Sequence, residues 1–121
     1  MKKRILLIED ETDLVMTMRF RLEDVGYEII VAVDGQEGLD RAQDGNPDLI
    51  LLDLMLPKVN GFKVLKTLKA DARYSKIPVI IFTARAQAAD KKIGEELGAD
   101  AYITKPFDAD MLLAKIKELI K

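Results

Sequence analysis

The sequence predicts an α/β protein built on an open, parallel, five-stranded sheet with helices on both faces. Short apolar runs alternate with amphipathic stretches of helical length along the whole chain. The first, third and fourth of these runs show no alternation with polar residues, which is typical of strands with both faces buried in a parallel sheet. Strict strand–helix alternation within 121 residues predicts a single domain over residues 1–121.

Five apolar runs predict the strands. The runs are Ile5–Ile8, Ile29–Val33, Leu49–Leu52, Val79–Phe82 and Ala101–Ile103. A helical stretch follows each run, as the crossover between parallel strands requires. For a doubly wound sheet of this size we expect the flavodoxin-like strand order 2-1-3-4-5, with five helices on both faces.

The first two helices follow strands 1 and 2. The second helix is predicted over about Gly35–Gln43, with Asp34 as its N-cap, and Gly26 is placed to end the first. The first is indicated by apolar residues at helical spacing: Leu14, Met18, Leu22 and Val25.

The remaining three helices follow strands 3, 4 and 5. The third begins after Gly61, the fourth ends before Gly98, and the fifth begins near Asp108. Their predicted core faces contain Val64, Leu65 and Leu68, then Ile93 and Leu97, and last Leu112, Ile116, Leu119 and Ile120.

The composition excludes several kinds of chemistry. The chain has no cysteine and no histidine, which removes disulfides, Cys/His zinc sites, thiol nucleophiles and histidine general bases. Its net charge of −2 gives no sign of a nucleic-acid or membrane surface. The apolar segment after Arg4 is too short for a signal peptide or a membrane span, so we expect a cytoplasmic protein.

Polar side chains stand where four of the predicted strands end. Glu9 and Asp10 follow strand 1, Asp53 follows strand 3, Thr83 follows strand 4, and Lys105 follows strand 5. In open α/β sheets, ligands bind outside the carboxyl ends of the strands, where the strand order switches direction. Strands 1 and 3 are neighbours there, so three carboxylates are expected to converge. Such a cluster either raises a pKa or recruits a cation, and oxygen ligands favour Mg²⁺.

Thr83 and Lys105 complete this predicted site. Adjacent strands lie about 4.8 Å apart, so Thr83 needs only its short side chain to face a site at Asp53. Lys105 is two strands away, roughly 10 Å, a distance that its long flexible side chain can span. The metal and the ammonium would neutralise phosphate oxygens, the hydroxyl would bond to one, and a carboxylate would accept the group. This set therefore suits phosphoryl transfer.

Each of these residues also has a purely structural interpretation. Asp53 could cap a loop at the end of its strand, and Glu9 and Asp10 could cap the first helix. Thr83 could be an ordinary β-branched strand residue. Lys105, at the end of a buried strand and directly before a proline, is poorly explained as solvated surface, which favours the functional interpretation.

Four motifs, in order along the chain, resemble those of the receiver domain of two-component response regulators. They are Glu9-Asp10 in "LLIEDE", Asp53 in "DLILLDLMLPKVNGF", Thr83-Ala84 in "VIIFTA" and Lys105-Pro106-Phe107 in "GADAYITKPF". The resemblance covers the whole chain. It implies a phospho-accepting signalling domain of the chemotaxis-regulator type rather than an enzyme, with self-phosphorylation and autodephosphorylation as its only catalysis.

The resemblance implies a role for each site residue. Asp53 would accept a phosphoryl group from a phosphohistidine of a histidine kinase or phosphotransfer protein. Asp10, Asp53 and the backbone carbonyl of Met55 would bind Mg²⁺, and Glu9 would act on the ion through water. Lys105 would pair with the phosphoryl group.

The resemblance also implies a conformational switch. Thr83 would move toward the phosphoryl group, and Tyr102 would swing inward, although Tyr102 could be only a half-buried aromatic of an edge strand. The face of helix 4, strand 5 and helix 5 would then be read by a downstream protein or an attached output domain, with no direct contact of this domain with nucleic acid or membrane. Met55 and Arg85 flank the site and are predicted to tune hydrolysis, and the resemblance favours a cis Lys105–Pro106 bond.

Three positions depart from the family's pattern. Glu9 is longer than the Asp of many relatives, and Asn60 replaces a common Asp before Gly61, where it is predicted to serve a turn. Ala101 stands where receivers of winged-helix transcription factors often carry an acid for a dimer salt bridge. We therefore expect a monomer or a weak phosphorylation-dependent dimer.

Other interpretations fit less well or stay open. A haloacid-dehalogenase-like phosphatase needs a second Asp at the position of Met55, and flavodoxin needs a phosphate loop where this chain has the acidic "EDETDL". The last predicted helix ends at Lys121, so the chain is either a single-domain receiver or the truncated N-terminal receiver of a DNA-binding transcription factor. Four methionines are predicted to be packing residues: Met16, Met18, Met55 and Met111.

Overall fold

The structure, a computed structural model, describes residues 2–120. Within that range five parallel strands alternate with five helices, and the strands lie in the order 2-1-3-4-5, as predicted. The strands are β1 (Arg4–Ile8), β2 (Glu28–Ala32), β3 (Leu49–Leu52), β4 (Val79–Thr83) and β5 (Ala101–Thr104). The helices are α1 (Thr12–Asp24), α2 (Gly35–Gly45), α3 (Gly61–Ala70), α4 (Ala88–Glu96) and α5 (Ala109–Leu119).

Element boundaries differ from the predicted ones by one or two residues. β2 begins at Glu28 because its pairing with β1 begins there, and Val33 lies outside the strand with 47% of its surface exposed. β4 and β5 each end in a threonine, Thr83 and Thr104, which pair with each other in the ladder. α2 continues to Gly45, where Asn46 in the left-handed region ends it.

The sheet separates two apolar layers. β1, β3 and β4 alternate their side chains between the layers, and β3 and β4 are buried along their whole length. α2 and α3 contribute Ala42, Val64, Leu65 and Leu68 to one layer, whereas α1 and α5 contribute Met18, Leu22, Leu112 and Ile116 to the other. Burial of these side chains on both faces holds the central strands in place, and with them the polar residues that follow the strands.

Local signals in the sequence explain where several helices start and stop. Asp34 is the N-cap of α2, as predicted, because its Oδ1 accepts from the N–H of Glu37 at 2.8 Å. Asn60 caps α3 by accepting from the N–H of Phe62 at 2.7 Å. Gly26, predicted to end α1, has a φ of 102°, a conformation that glycine adopts without steric cost.

The loop between β3 and α3 is held against its neighbours by close backbone packing. A Cβ atom on Gly61 would overlap the Cα of Leu54 and the carbonyl oxygen of Asp53, so α3 starts directly against the backbone that follows β3. The N–H of Gly61 donates to the carbonyl of Leu54 at 3.2 Å. This packing fixes the chain on the carboxyl side of Asp53.

The predicted packing role of the methionines is wrong for three of the four. Met18 is buried, but Met16, Met55 and Met111 are 66%, 59% and 68% exposed. Met16 lies two residues before Met18 on the same helix, so the two side chains point to different sides of α1. Among residues 2–120, no helix is both long and apolar enough to span a membrane.

Candidate functional site

The carboxyl ends of β1 and β3 place three acids side by side. Ile8 pairs with Leu52, and the N–H of Asp53 donates to the carbonyl of Ile8 at 3.1 Å, so the residues after both strands are neighbours. One carboxylate oxygen from each of Glu9, Asp10 and Asp53 lies within 4.8 Å of the others. The predicted convergence of the acids is therefore present in the fold.

Lys105 reaches this cluster from the end of β5. Its Nζ lies 2.6 Å from Oε1 of Glu9 and 3.1 Å from Oδ2 of Asp53, and 5.1 Å from the centroid of the Phe82 ring. Burial lowers the pKa of Lys105, but its hydrogen bonds to Glu9 and Asp53 outweigh burial, so the net shift is upward. The ammonium thus stays charged between two carboxylates. The peptide bond between Lys105 and Pro106 is cis.

Glu9 is almost fully enclosed, with 1% of its surface exposed. Its Oε2 accepts from the N–H groups of Asp10 and Glu11 at 3.0 and 3.1 Å, and its Oε1 accepts from Lys105. Burial raises the pKa of Glu9, and the nearby charge of Asp53 adds to the rise, while Lys105 opposes it. Glu11, not Glu9 or Asp10, stands at the N-cap position of α1, so capping does not explain these two acids.

Asp53 is held by both of its carboxylate oxygens. Oδ1 accepts from the N–H of Met55 at 3.1 Å, and Oδ2 accepts from Lys105. Asp53 is 4% exposed, whereas Asp10 is an exposed residue at the solvent side of the cluster. The Met55 side chain points to solvent, and its backbone lies next to the carboxylate.

The three acids suit a hard divalent cation. Mg²⁺ prefers oxygen ligands and is usually held in proteins by one or two carboxylates together with several waters. The donor set here consists of carboxylate oxygens within 4.8 Å of one another, and exposed Asp10 leaves an approach from solvent. The residues present therefore fit Mg²⁺.

Thr83 and Tyr102 are joined through Arg85. Thr83 is fully buried, and its Oγ1 accepts from the N–H of Arg85 at 3.4 Å. The hydroxyl of Tyr102 donates to the carbonyl of Arg85 at 2.6 Å, and its ring lies beside Gly94 of α4. Burial raises the pKa of Tyr102, and the nearby carboxylate of Asp90 raises it further.

Asp90 is a buried acid that the sequence pattern does not single out. In the sequence it reads as an ordinary acidic residue in the first turn of a helix. In the structure it is 6% exposed and accepts from the guanidinium of Arg85 at 2.8 Å. The pairing spans the start of α4, and therefore no helical spacing rule predicts it.

Comparison with known proteins decides the family. Residues 5–117 match the family model described as the response regulator receiver domain. The chain belongs to the response regulator receiver domain family. This chain is therefore a receiver domain of two-component response regulators.

Relatives and solved structures agree with this assignment. The receiver domain is 41% identical to the alkaline phosphatase synthesis transcriptional regulatory protein PhoP of Bacillus subtilis, over all of this chain and 50% of that protein. It is 46% identical to the DNA-binding dual master transcriptional regulator RpaA of Synechocystis, over 98% of this chain and 49% of that protein. The chain thus spans about half the length of the curated relatives it matches. A CheY-like receiver domain protein from Methanospirillum hungatei superposes with a TM-score of 0.93 at 32% identity, over 99% of this chain and 94% of that one.

Proposed function

We propose that this receiver domain accepts a phosphoryl group on Asp53. The observation that carries the proposal is the position of the Asp53 carboxylate, 4% exposed at the end of β3 and bonded to the Lys105 ammonium. An aspartate carboxylate is a competent nucleophile for forming an acyl phosphate. One Asp53 oxygen would form a bond to phosphorus while the bond from phosphorus to the donor breaks and leaves its electron pair on the donor.

The neighbouring residues supply the electrostatics that the transferred group needs. Lys105 now pairs with Asp53 at 3.1 Å and would contact a phosphoryl oxygen after transfer. The Thr83 hydroxyl would donate to another phosphoryl oxygen. Asp10, Asp53 and the Met55 carbonyl would hold Mg²⁺, with Glu9 acting through water, and the ion would neutralise the negative charge of the phosphoryl group.

Partners follow from this function. The phosphoryl donor would be a phosphohistidine of a histidine kinase or a phosphotransfer protein. The face of α4, β5 and α5 would be read by a downstream protein or an attached output domain, in a monomer or a weak phosphorylation-dependent dimer. We propose no catalysis beyond self-phosphorylation and autodephosphorylation, and the cytoplasmic location stays a prediction.

The length of the relatives favours a second statement about the whole protein. PhoP and RpaA are named as transcriptional regulators and are about twice as long as this chain. We propose that the receiver controls a DNA-binding output domain that follows it. DNA binding by the full-length protein, measured with and without a phosphodonor, tests this proposal.

Phosphorylation itself can be tested by mass spectrometry. With Mg²⁺ and acetyl phosphate, we expect the intact mass to rise by one phosphoryl group, with the label mapping to Asp53. Asp53→Asn should abolish the gain, whereas Asp44→Asn, at an exposed acid on α2, should keep it. An unlabelled wild type, or a labelled Asp53→Asn variant, would refute the assignment.

A further inference from the structure

Helix α4 is anchored differently from its neighbours. Among the described residues, α4 buries only Asp90 and Gly94, whereas α3 buries Val64, Leu65 and Leu68 through apolar side chains. The N-cap of α4 makes no side-chain hydrogen bond. Apolar burial is the main force that fixes most helices on a sheet. Leu97, at the C-cap of α4, adds one partly buried apolar contact with the core. With so little apolar burial, the position of α4 depends more heavily on polar contacts.

The strongest polar contact at the start of α4 is the ion pair of Arg85 with Asp90. The two side chains meet at 2.8 Å, and the Arg85 side chain is 40% exposed whereas Asp90 is buried. The same guanidinium lies 5.5 Å from the centroid of the Phe62 ring on α3, within range for a cation–π contact. Because a buried carboxylate without a counter-charge is strongly unfavourable, this pair ties the first turn of α4 to the loop before it and to α3.

Arg85 also contacts both residues of the predicted switch through its backbone. Its N–H donates to Oγ1 of Thr83 at 3.4 Å, and its carbonyl accepts from the Tyr102 hydroxyl at 2.6 Å. A movement of the Thr83 hydroxyl toward a group on Asp53 would remove the acceptor of the Arg85 N–H. One residue thus contacts the site, the edge strand and α4.

We propose that Arg85 is a positioning residue that couples Thr83 and Tyr102 to α4, and that its ion pair with Asp90 holds α4 in place. This inference rests on the proposed function, because the coupling regulates the same site. Weakening the pair would let α4 leave its position without a phosphoryl group. The effect would be local, since the other helices are anchored by apolar side chains.

Hydrogen exchange of the unphosphorylated protein tests the proposal. Arg85→Met and Asp90→Asn should each speed exchange of the α4 amides by about tenfold or more, since a hydrogen bond to a charged group contributes on that order. Exchange in α1 and α5 should stay within error of wild type. The Tyr102 ring resonances should shift in the same variants, because its hydrogen-bond acceptor is the Arg85 carbonyl.

A matched control lies just beyond the C-terminal end of α3. Arg73 pairs with Asp71 at 2.9 Å and lies 4.9 Å from the centroid of the Tyr74 ring, so it makes the same two kinds of contact. Arg73→Met should leave α4 exchange unchanged. Arg85→Lys, which keeps the positive charge, should restore part of the protection and also serves if Arg85→Met fails to fold.

Two results would overturn the proposal. In the first, the α4 amides of both Arg85→Met and Asp90→Asn exchange at the same rate as in wild type. The other is an equal rise in every helix, which would show that the pair supports global stability alone. Neither measurement uses a phosphodonor, so failure of the proposed function, seen as an unlabelled wild type, is recorded separately from failure of the coupling.

Discussion

Lys105 illustrates, at the scale of one residue, how the fold assembles the site. It is separated from Glu9 by 96 positions in the chain, yet its Nζ lies 2.6 Å from that carboxylate. The meeting could be predicted because both residues follow parallel strands whose carboxyl ends share one edge. The exact partners could not be predicted. The Glu9 carboxylate accepts hydrogen bonds from Lys105 and from two backbone amides. These contacts depend on the path of the loop and on the side-chain rotamers rather than on residue type.

We expect Mg²⁺ to stabilise the folded protein through the three acids of the site. A cation that binds the folded protein should raise its melting temperature and relieve repulsion among Glu9, Asp10 and Asp53. Asp10→Asn should lose most of the rise, because Asp10 is the exposed member of the proposed ligand set. Asp24→Asn, an exposed acid at the end of α1, serves as control. The melting temperatures are measured by circular dichroism. If Mg²⁺ raised the melting temperature of wild type and of Asp10→Asn equally, the proposed metal site would be wrong.

The contribution of Asp34 to the stability of the folded protein should depend on pH. The N–H of Glu37 lowers the pKa of Asp34 below its ordinary value of 3.8, and Lys58 adds to the effect. A group with a lowered pKa in the folded state stabilises the protein above that ordinary value and loses this contribution as the pH falls through the folded-state pKa. Asp34→Asn keeps the capping oxygen without the charge. The melting-temperature difference between wild type and Asp34→Asn should therefore be largest near neutral pH and shrink below pH 3.8; a constant difference would contradict the account.

At the scale of elements, apolar spacing predicts the strands and helices better than it predicts which side chains are buried. The spacing predicts Ile93 and Leu97 on the core face of α4. Leu97 is half-buried and packs against the core, as predicted, but Ile93 is 41% exposed. The buried side of α4 instead carries Asp90 and Gly94. A buried ion pair leaves no hydrophobic pattern, and the small residue that lets the Tyr102 ring approach α4 has no side chain to count. Both features depend on tertiary contacts that one helix's sequence does not contain.

The close packing of Gly61 against the loop after β3 should contribute to the stability of the protein. Its missing Cβ faces the backbone of Asp53 and Leu54, which cannot turn aside as a side chain can. Gly61→Ala should destabilise the protein by about 1–3 kcal/mol in urea unfolding, as overpacking does. Gly45→Ala is the control, since its Cβ would meet only the end of the flexible Ile30 side chain. A loss for Gly61→Ala no larger than for Gly45→Ala would show that the close packing is unimportant.

At the scale of the whole molecule, the strand order was predictable because few topologies suit five parallel strands with short connections. The fold then brings residues from four strand ends to one edge of the sheet. The position of α4 relative to that edge could not be predicted from the sequence. That position depends on the contacts of Arg85, whose side chain meets α3 and α4 at once.

Assembly is a prediction at the same scale. Ala101, on β5, stands where the resemblance to receivers of winged-helix transcription factors implies an acid for a dimer salt bridge. Sedimentation with Mg²⁺ and beryllofluoride, a phosphoryl mimic, should therefore show a monomer or weak dimerisation. Ala101→Asp, at a half-buried edge position, should strengthen any dimer that uses this face. A tight dimer of wild type with the mimic would contradict the expectation.

A crystal structure with Mg²⁺ and beryllofluoride would show directly whether Asp53 accepts the phosphoryl group. We expect beryllium bonded to an Asp53 carboxylate oxygen, fluorides in contact with Thr83 Oγ1 and Lys105 Nζ, and Mg²⁺ on Asp10, Asp53 and the Met55 carbonyl. A mimic bound elsewhere, or Lys105 turned to solvent while Asp53 stays unmodified, would contradict the proposal.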